Sequence, residues 1–293
     1  MKCLIVSVIF LFSASNFYSQ KLCSILSLVN DNSVFVASNL DAPNPNSKMW
    51  IVPAKPNQYA RVCFGFDKEF RIAENGINEY GLFIDVNSVD KTNWQPSPDK
   101  PDWEEWEGWY VTGVPDGILA KCKTVDEAVE IFKKYNLLTF ANVKYLIADA
   151  LGKSVVLEWS KDGLQIIPKD TYYQVSTNFI TSDYEPENYP CYRYKTAMNI
   201  LMKESNITPF ETLRHSLSAM AMEYNSPTQY SIIADLKSLK FTLYLFHNFE
   251  EPVEFDFNEL IKKGDEKYIL ADFFRNKSYA HKIYTDYYAM QSK

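Results

Sequence analysis

The sequence predicts an α+β layered domain. Strand-like segments fill its first third, capped amphipathic helices lie in its middle, and further strands follow them, an order unlike strict βαβ alternation. Composition agrees. Of 293 residues, 46% are hydrophobic and 15% aromatic, enough for one large core or two closely joined ones.

The first element is a leader. Met1-Lys2 supplies a positive start, Cys3 to Phe12 is apolar apart from Ser7, and Ser13 to Gln20 turns small and polar. The apolar run is well short of the roughly 20 residues that a membrane span needs. Residues 1–22 are therefore read as a signal peptide and short propeptide, and 23–293 as a single domain that is secreted or periplasmic. A retained anchor helix and a lipoprotein acylated at Cys23 are the rival readings. Gln20-Lys21-Leu22 lacks the small residues that a lipidation signal places before its cysteine.

After the leader comes a hairpin: Cys23 to Val29 alternates, Asn30-Asp31-Asn32 is turn chemistry, and Val34 to Ala37 returns. Strands are expected at Trp50–Pro53, Val62–Phe66 and Leu82–Val86. Lys91 to Asp102 reads as a loop by its Pro, Asp and Ser content. Thr124-Val125-Asp126-Glu127 is a capping box that leads into Ala128, Val129, Ile131 and Phe132 on one helical face. Strands follow at Tyr145–Asp149, Ser154–Glu158, Leu164–Pro168 and Tyr172–Ser176, then a helix over Tyr194 to Met202. A second capping box, Thr208-Pro209-Phe210-Glu211, has proline at the first helical position and precedes Leu213, Leu217 and Met220. Strands at Tyr230–Asp235 and Phe241–Phe246 complete the pattern.

Several function classes lack support. Net charge is −7 with no Lys/Arg cluster, so nothing attracts a nucleic acid. No segment after the leader is apolar long enough for stable membrane insertion. His and Cys are too few and scattered for a tetrahedral metal site, no calcium loop appears, and nine glycines form no phosphate loop. No metal or cofactor is expected. The expected partner is a small-molecule amide substrate, with a homo-oligomer left open. Besides Cys3 and Cys23 there are only Cys63, Cys122 and Cys191, an odd number that cannot all pair.

Cys23 is the residue with chemistry to offer. A cysteine that opens a mature chain carries its own base, because a free α-amino group has a pKa near 7.7–8.0 and takes a thiol proton at neutral pH. The three histidines, His215, His247 and His281, form no Cys/His protease signature, and His215 reads as a surface or satisfied core residue.

Cys23-Ser24 opening a hairpin is followed by Ser38-Asn39-Leu40-Asp41 at its far end, Asn78-Glu79-Tyr80-Gly81-Leu82 leading to Asn87, and Thr177-Asn178 closing a strand. This series resembles the choloylglycine hydrolase and penicillin V acylase family, and is most similar to the branch called linear amide C–N hydrolases. The resemblance spans Cys23 to about Phe246. It implies a four-layer αββα N-terminal nucleophile hydrolase sandwich that cleaves a linear, non-peptide amide through a thioester. It implies that Cys23 is nucleophile and base, that Asp41 orients the amino end, and that Asn87 and Asn178 with adjoining backbone stabilise the oxyanion. Read locally, Asp41 is equally an Asx-type turn before Pro43, and the two asparagines are strand-end caps.

One departure stands out. Where the bile-salt and penicillin enzymes have an arginine before Asn-Leu-Asp, this chain has Ser38, and Arg193 is the candidate to supply a guanidinium instead. The tryptophan-rich segment from Trp94 to Tyr110 is read either as a binding wall, with Trp103 and Trp106 as substrate-binding residues, or as packing on its own core. With Asp99, Asp102, Glu104, Glu105 and Glu107, such a wall favours neutral or cationic amides over carboxylate-bearing ones. An acyltransferase of the same fold and a binding protein that lost activity are the alternative functions.

Overall fold

The computed structural model describes residues 23–103, 113–203, 208–224 and 226–277, together with residues 282, 285, 286 and 289. Two antiparallel sheets stack face to face. The six-stranded sheet runs in the order β10 (Tyr173–Ser176), β1 (Ser24–Val29), β2 (Val34–Asp41), β11 (Thr228–Asp235), β12 (Lys240–Leu245) and β13 (Val253–Asp256). The eight-stranded sheet runs β14 (Lys267–Ile269), β3 (Lys48–Val52), β4 (Arg61–Gly65), β5 (Asn75–Asn78), β6 (Phe83–Ser88), β7 (Val143–Ala148), β8 (Ser154–Ser160) and β9 (Gly163–Pro168). Helices α1 (Val114–Lys121) and α2 (Val125–Lys134) cover the outer face of the larger sheet. Helices α3 (Tyr192–Lys203) and α4 (Pro209–Met220) cover that of the smaller one. A short α5 (Phe257–Ile261) follows β13. The order of layers is αββα.

Strand alternation sorts the residues into these layers. On β2, Val34, Val36 and Leu40 face the sandwich interior with Ile25, Phe64, Phe83, Leu146 and Ile232, whereas Ala37 faces α4 with Leu26, Leu213 and Leu217. On β6, Phe83 points inward and Ile84 points out toward Leu119 and Phe132. Each leucine so buried contributes about 1.5–3 kcal/mol. The N-cap half of both expected capping boxes forms, Thr124 Oγ1 accepting from the Glu127 amide and Thr208 Oγ1 from that of Glu211, each at 3.3 Å, whereas the Glu127 side chain accepts from the Lys123 amide and that of Glu211 from Arg214.

The expected strands and the helices at 124–132, 194–202 and 209–220 appear within a few residues of their predicted bounds. Other elements carry no such signal. Helix α1 contains Pro115 and Gly117 and is buried from Val114 to Ala120, so it has no polar stripe to betray it. Strand β5 is Asn-Gly-Ile-Asn, poor in strand formers, and is held by pairing with β4 and β6 on either side.

The Asn78–Leu82 motif turns out to be structural. Asn78 Oδ1 accepts from the amides of Tyr80 and Leu82, while its Nδ2 donates to the carbonyls of Leu119 and Cys122, tying the β5–β6 turn to the end of α1. Gly81 has φ +73°, and a Cβ there would lie 2.3 Å from the Leu236 carbonyl oxygen, so only glycine fits.

Candidate active site

Residue Cys23 sits just ahead of β1, 2% exposed, where the two sheets and α3 meet. Its carbonyl oxygen is gripped twice, by Asn87 Nδ2 from the larger sheet at 2.9 Å and by Arg193 Nη1 from α3 at 3.2 Å. The Asn87 side chain is itself aimed by the Ser176 hydroxyl, which donates to its Oδ1 at 2.6 Å. On the other side, the Asp41 backbone N–H points at the Cys23 sulfur. Position 23 is thus fixed from β6, β2 and α3 at once.

Arg193 organises the cluster. One guanidinium nitrogen reaches Cys23 O, Ser24 Oγ at 3.0 Å and Asp41 Oδ2 at 3.4 Å; the other donates to Asn178 Oδ1 at 2.9 Å. Asn178 in turn donates from Nδ2 to the Ser88 carbonyl at 2.7 Å. The Asp41 carboxylate accepts from Thr228 Oγ1 at 2.6 Å as well as from Arg193. A bulge in β11 between Thr228 and Tyr230 sets Thr228 opposite Asp41 and returns Tyr230 to the interior. Arg193 brings this guanidinium to Cys23 from a helix about 150 residues after Ser38.

Electrostatics favour a protonated thiol. Burial, followed by the charges of Asp41, Asp85 and Glu74, pushes the Cys23 thiol well above its usual range, and the Asp41 N–H offsets this only in part. Burial likewise raises the Asp41 carboxyl well above the usual carboxylate range against the pull of Thr228 and Arg193. A resting thiolate is disfavoured here. Nucleophilic chemistry requires a base that takes the proton as sulfur attacks.

Beside this cluster opens a cavity of about 540 Å³, reached through Asn178 and Arg193 and walled by Trp159, Phe179, Tyr184 and Lys161. Its floor is held by a fully buried ion pair. Lys144 Nζ bonds Glu158 Oε2 at 3.1 Å and the Phe179 carbonyl at 2.6 Å, and Glu158 accepts from the amides of Thr181 and Ser182.

Of the residues expected from sequence, the structure brings Cys23, Asp41, Asn87, Asn178 and Arg193 together. It separates Trp103 from them. That side chain is fully buried in the layer between the larger sheet and α1–α2, edge-on to Tyr135 at 6.4 Å, so it packs the core instead of forming a binding wall. Trp106, with Glu104, Glu105 and Glu107, lies outside the described residues. Residue His215 is exposed on α4. Sequence reasoning missed Ser24, Ser176 and Thr228, which bear no local signature, and Asp85, which was hidden in a strand pattern. Among the described residues, no three His, Cys, Asp or Glu side chains gather as metal ligands.

Known proteins share this architecture. The model of the linear amide C–N hydrolases, choloylglycine hydrolase family, matches residues 24–218. A mutant of conjugated bile acid hydrolase from Clostridium perfringens is 17% identical with a TM-score of 0.64, the match covering 84% of this chain and 95% of that one. Penicillin V acylase from Agrobacterium tumefaciens is 19% identical over 76% of this chain and 83% of its own, with a TM-score of 0.57. An N-acylethanolamine-hydrolyzing acid amidase ortholog from Caenorhabditis elegans is 14% identical over 73% and 93%, with a TM-score of 0.53. At these identities the structural likeness establishes the fold.

Proposed function

Because this chain belongs to the choloylglycine hydrolase family of linear amide C–N hydrolases, we propose that it cleaves its amide through Cys23, acting as the first residue of an exported and processed chain. The observation that carries this reading is the convergence on one cysteine of Asp41, Asn87 and Arg193, with Asn178 joined to them through the guanidinium.

In the processed chain the α-amino group of Cys23 takes the thiol proton as sulfur bonds to the substrate's carbonyl carbon. The carbonyl π electrons move to oxygen. Asn87 keeps a second N–H on the amide that holds Cys23, and Asn178 is oriented beside it by Ser88 and Arg193; both are offered to the oxyanion. The ammonium then protonates the leaving nitrogen, the C–N bond breaks, and an acyl thioester remains on Cys23. Water attacks the thioester, giving a proton to the amine, and the carboxylic acid leaves as the thiol is restored. Asp41 holds the ammonium formed during each half-reaction, and Arg193 keeps Asp41 and the Cys23 carbonyl in register. The cavity lined by Trp159, Phe179 and Tyr184 receives the apolar body of the substrate.

Intact-mass and N-terminal analysis of active secreted protein, with Cys23→Ala beside it, tests the proposal. The expected result is a chain that starts at Cys23 and a folded variant without amidase activity. Active protein that retains Lys21-Leu22 would end it, as would turnover by the variant.

A further inference from the structure

We infer that the sandwich interior beside Cys23 contains a recognition site for a positively charged, hydrogen-bond-donating group of the substrate, with Asp85 as the residue that selects it. This rests on the proposed chemistry at Cys23 and adds a substrate class to it, amides that carry an ammonium a few bonds from the scissile carbonyl.

Asp85 lies two residues before Asn87 on β6 and therefore on the same inward face, about 7 Å along the strand from the side chain that holds Cys23. It is fully buried. One carboxylate oxygen accepts from the Val86 amide at 2.6 Å, and the other, Oδ2, has no hydrogen-bond partner. Facing it are Ser38 of β2 and Asn75 of β5, also fully or almost fully buried. The Ser38 hydroxyl and the Asn75 Nδ2 are likewise unpartnered. Folded proteins pair nearly all buried polar atoms. Here an acceptor, a hydroxyl and an amide donor, from three strands of two sheets, lie near one another beside the nucleophile, close enough for Ser38 and Asn75 to pull on the carboxyl but without a hydrogen bond of ordinary geometry.

The titratable groups around this point are acids, three of which burial shifts toward their protonated forms, with Glu74 beside them. Cys23 of β1, Asp41 of β2, Glu74 just ahead of β5 and Tyr230 of β11 share the neighbourhood of Asp85. Lys144 of β7 faces the same interior, but its ammonium is taken by Glu158, the Phe179 carbonyl and Thr181. Arg193 is committed to Cys23, Ser24, Asp41 and Asn178. Burial, with a smaller push from Glu74, lifts the Asp85 carboxyl to about 7 against the pull of Ser38, Val86 and Asn75, so it is ionised in mildly alkaline solution, and among the described residues no cation is hydrogen-bonded to it. A ligand ammonium supplies one and leaves Ser38 and Asn75 to complete its hydrogen bonding. A ligand carboxylate meets uncompensated repulsion instead.

Calorimetric titration of the mature enzyme and of Asp85→Asn with butylammonium chloride and with sodium butyrate, at pH 8 and pH 6, tests the inference. For the native protein at pH 8 we expect butylammonium to bind at least tenfold tighter than butyrate, and this preference to collapse in Asp85→Asn. Between pH 8 and pH 6 the native affinity for butylammonium falls about tenfold as Asp85 takes up its proton. The Cys23 α-amino group titrates in the same window, so the variant is the control. An equal pH slope in both proteins assigns the effect to the amine and overturns the inference. So does an unchanged preference in Asp85→Asn, or no saturable binding of butylammonium. Loss of the hydrolytic reading would show separately, as wild-type protein that cleaves no amide.

Discussion

Replacing Arg193 by methionine should expose how tightly structure and chemistry are joined in this site. Methionine fills much of the same volume but removes the donors to Cys23 O, Ser24 Oγ, Asp41 and Asn178 from a side chain that is 4% exposed. Breaking a buried ion pair from one side costs about 3–5 kcal/mol, a fall in Tm of roughly 6–20 °C for a chain of this size. Part of that cost depends on pH. The folded-state pKa of Asp41 is raised above its unfolded value, so its contribution to stability is fully present below about pH 4. It is lost as pH rises through the folded pKa. Taking Arg193 away raises that pKa further, because the guanidinium is the charge that opposes burial there. Urea unfolding of both proteins from pH 4.5 upward should therefore show a destabilisation that grows once the pH passes the folded pKa of Asp41 in the wild type. Turnover should fall by about 10²-fold or more, because Cys23 and Asn178 lose their alignment. A loss of stability that stays equal across the whole alkaline range, or turnover within threefold of wild type, would refute the reasoning.

Asn178→Ala removes the side chain that links Ser88 to Arg193 and should lower kcat by about 10²–10³-fold with little change in the urea midpoint, measured on an uncharged amide. Lys144→Met leaves Glu158 buried and unpaired beneath the 177–183 loop and should cost about 3–5 kcal/mol in urea unfolding, while the double variant Lys144→Met/Glu158→Leu recovers most of it. Trp103→Ala should destabilise by about 3–5 kcal/mol through the cavity it leaves, yet KM per folded molecule should stay unchanged, because the indole lies in the helix layer away from Cys23.

Much of the architecture was legible because it depends on local patterns. Alternation in β1, β2, β11 and β12 and the boxes at Thr124 and Thr208 are readable over windows of ten residues, and they carry the layered arrangement. The order of Cys23, Asp41, Asn87 and Asn178 was legible too, since each occupies a strand end or turn whose flanks are distinctive. What sequence could not supply is whatever depends on distance through space. Helix α1 owes its form to burial on every side. Trp103 looked like a binding wall because a tryptophan-rich, acidic loop suggests exposure, but contact with Tyr135 takes it into the core. Thr228, Ser176 and Arg193 reach the site only through the pairing of β11 with β2, of β10 with β1, and the packing of α3. Asp85 reads as one polar residue in a strand, and only the facing of β2 and β5 shows that one of its carboxylate oxygens is left without a hydrogen bond. The sequence by itself determined the family this protein belongs to and the nucleophile proposed for it, because a thiol and a potential amine base belong to one residue, Cys23. The tertiary structure decided what surrounds that residue, because charge and hydrogen bonding act over a few ångströms between groups that lie up to 187 positions apart along the chain.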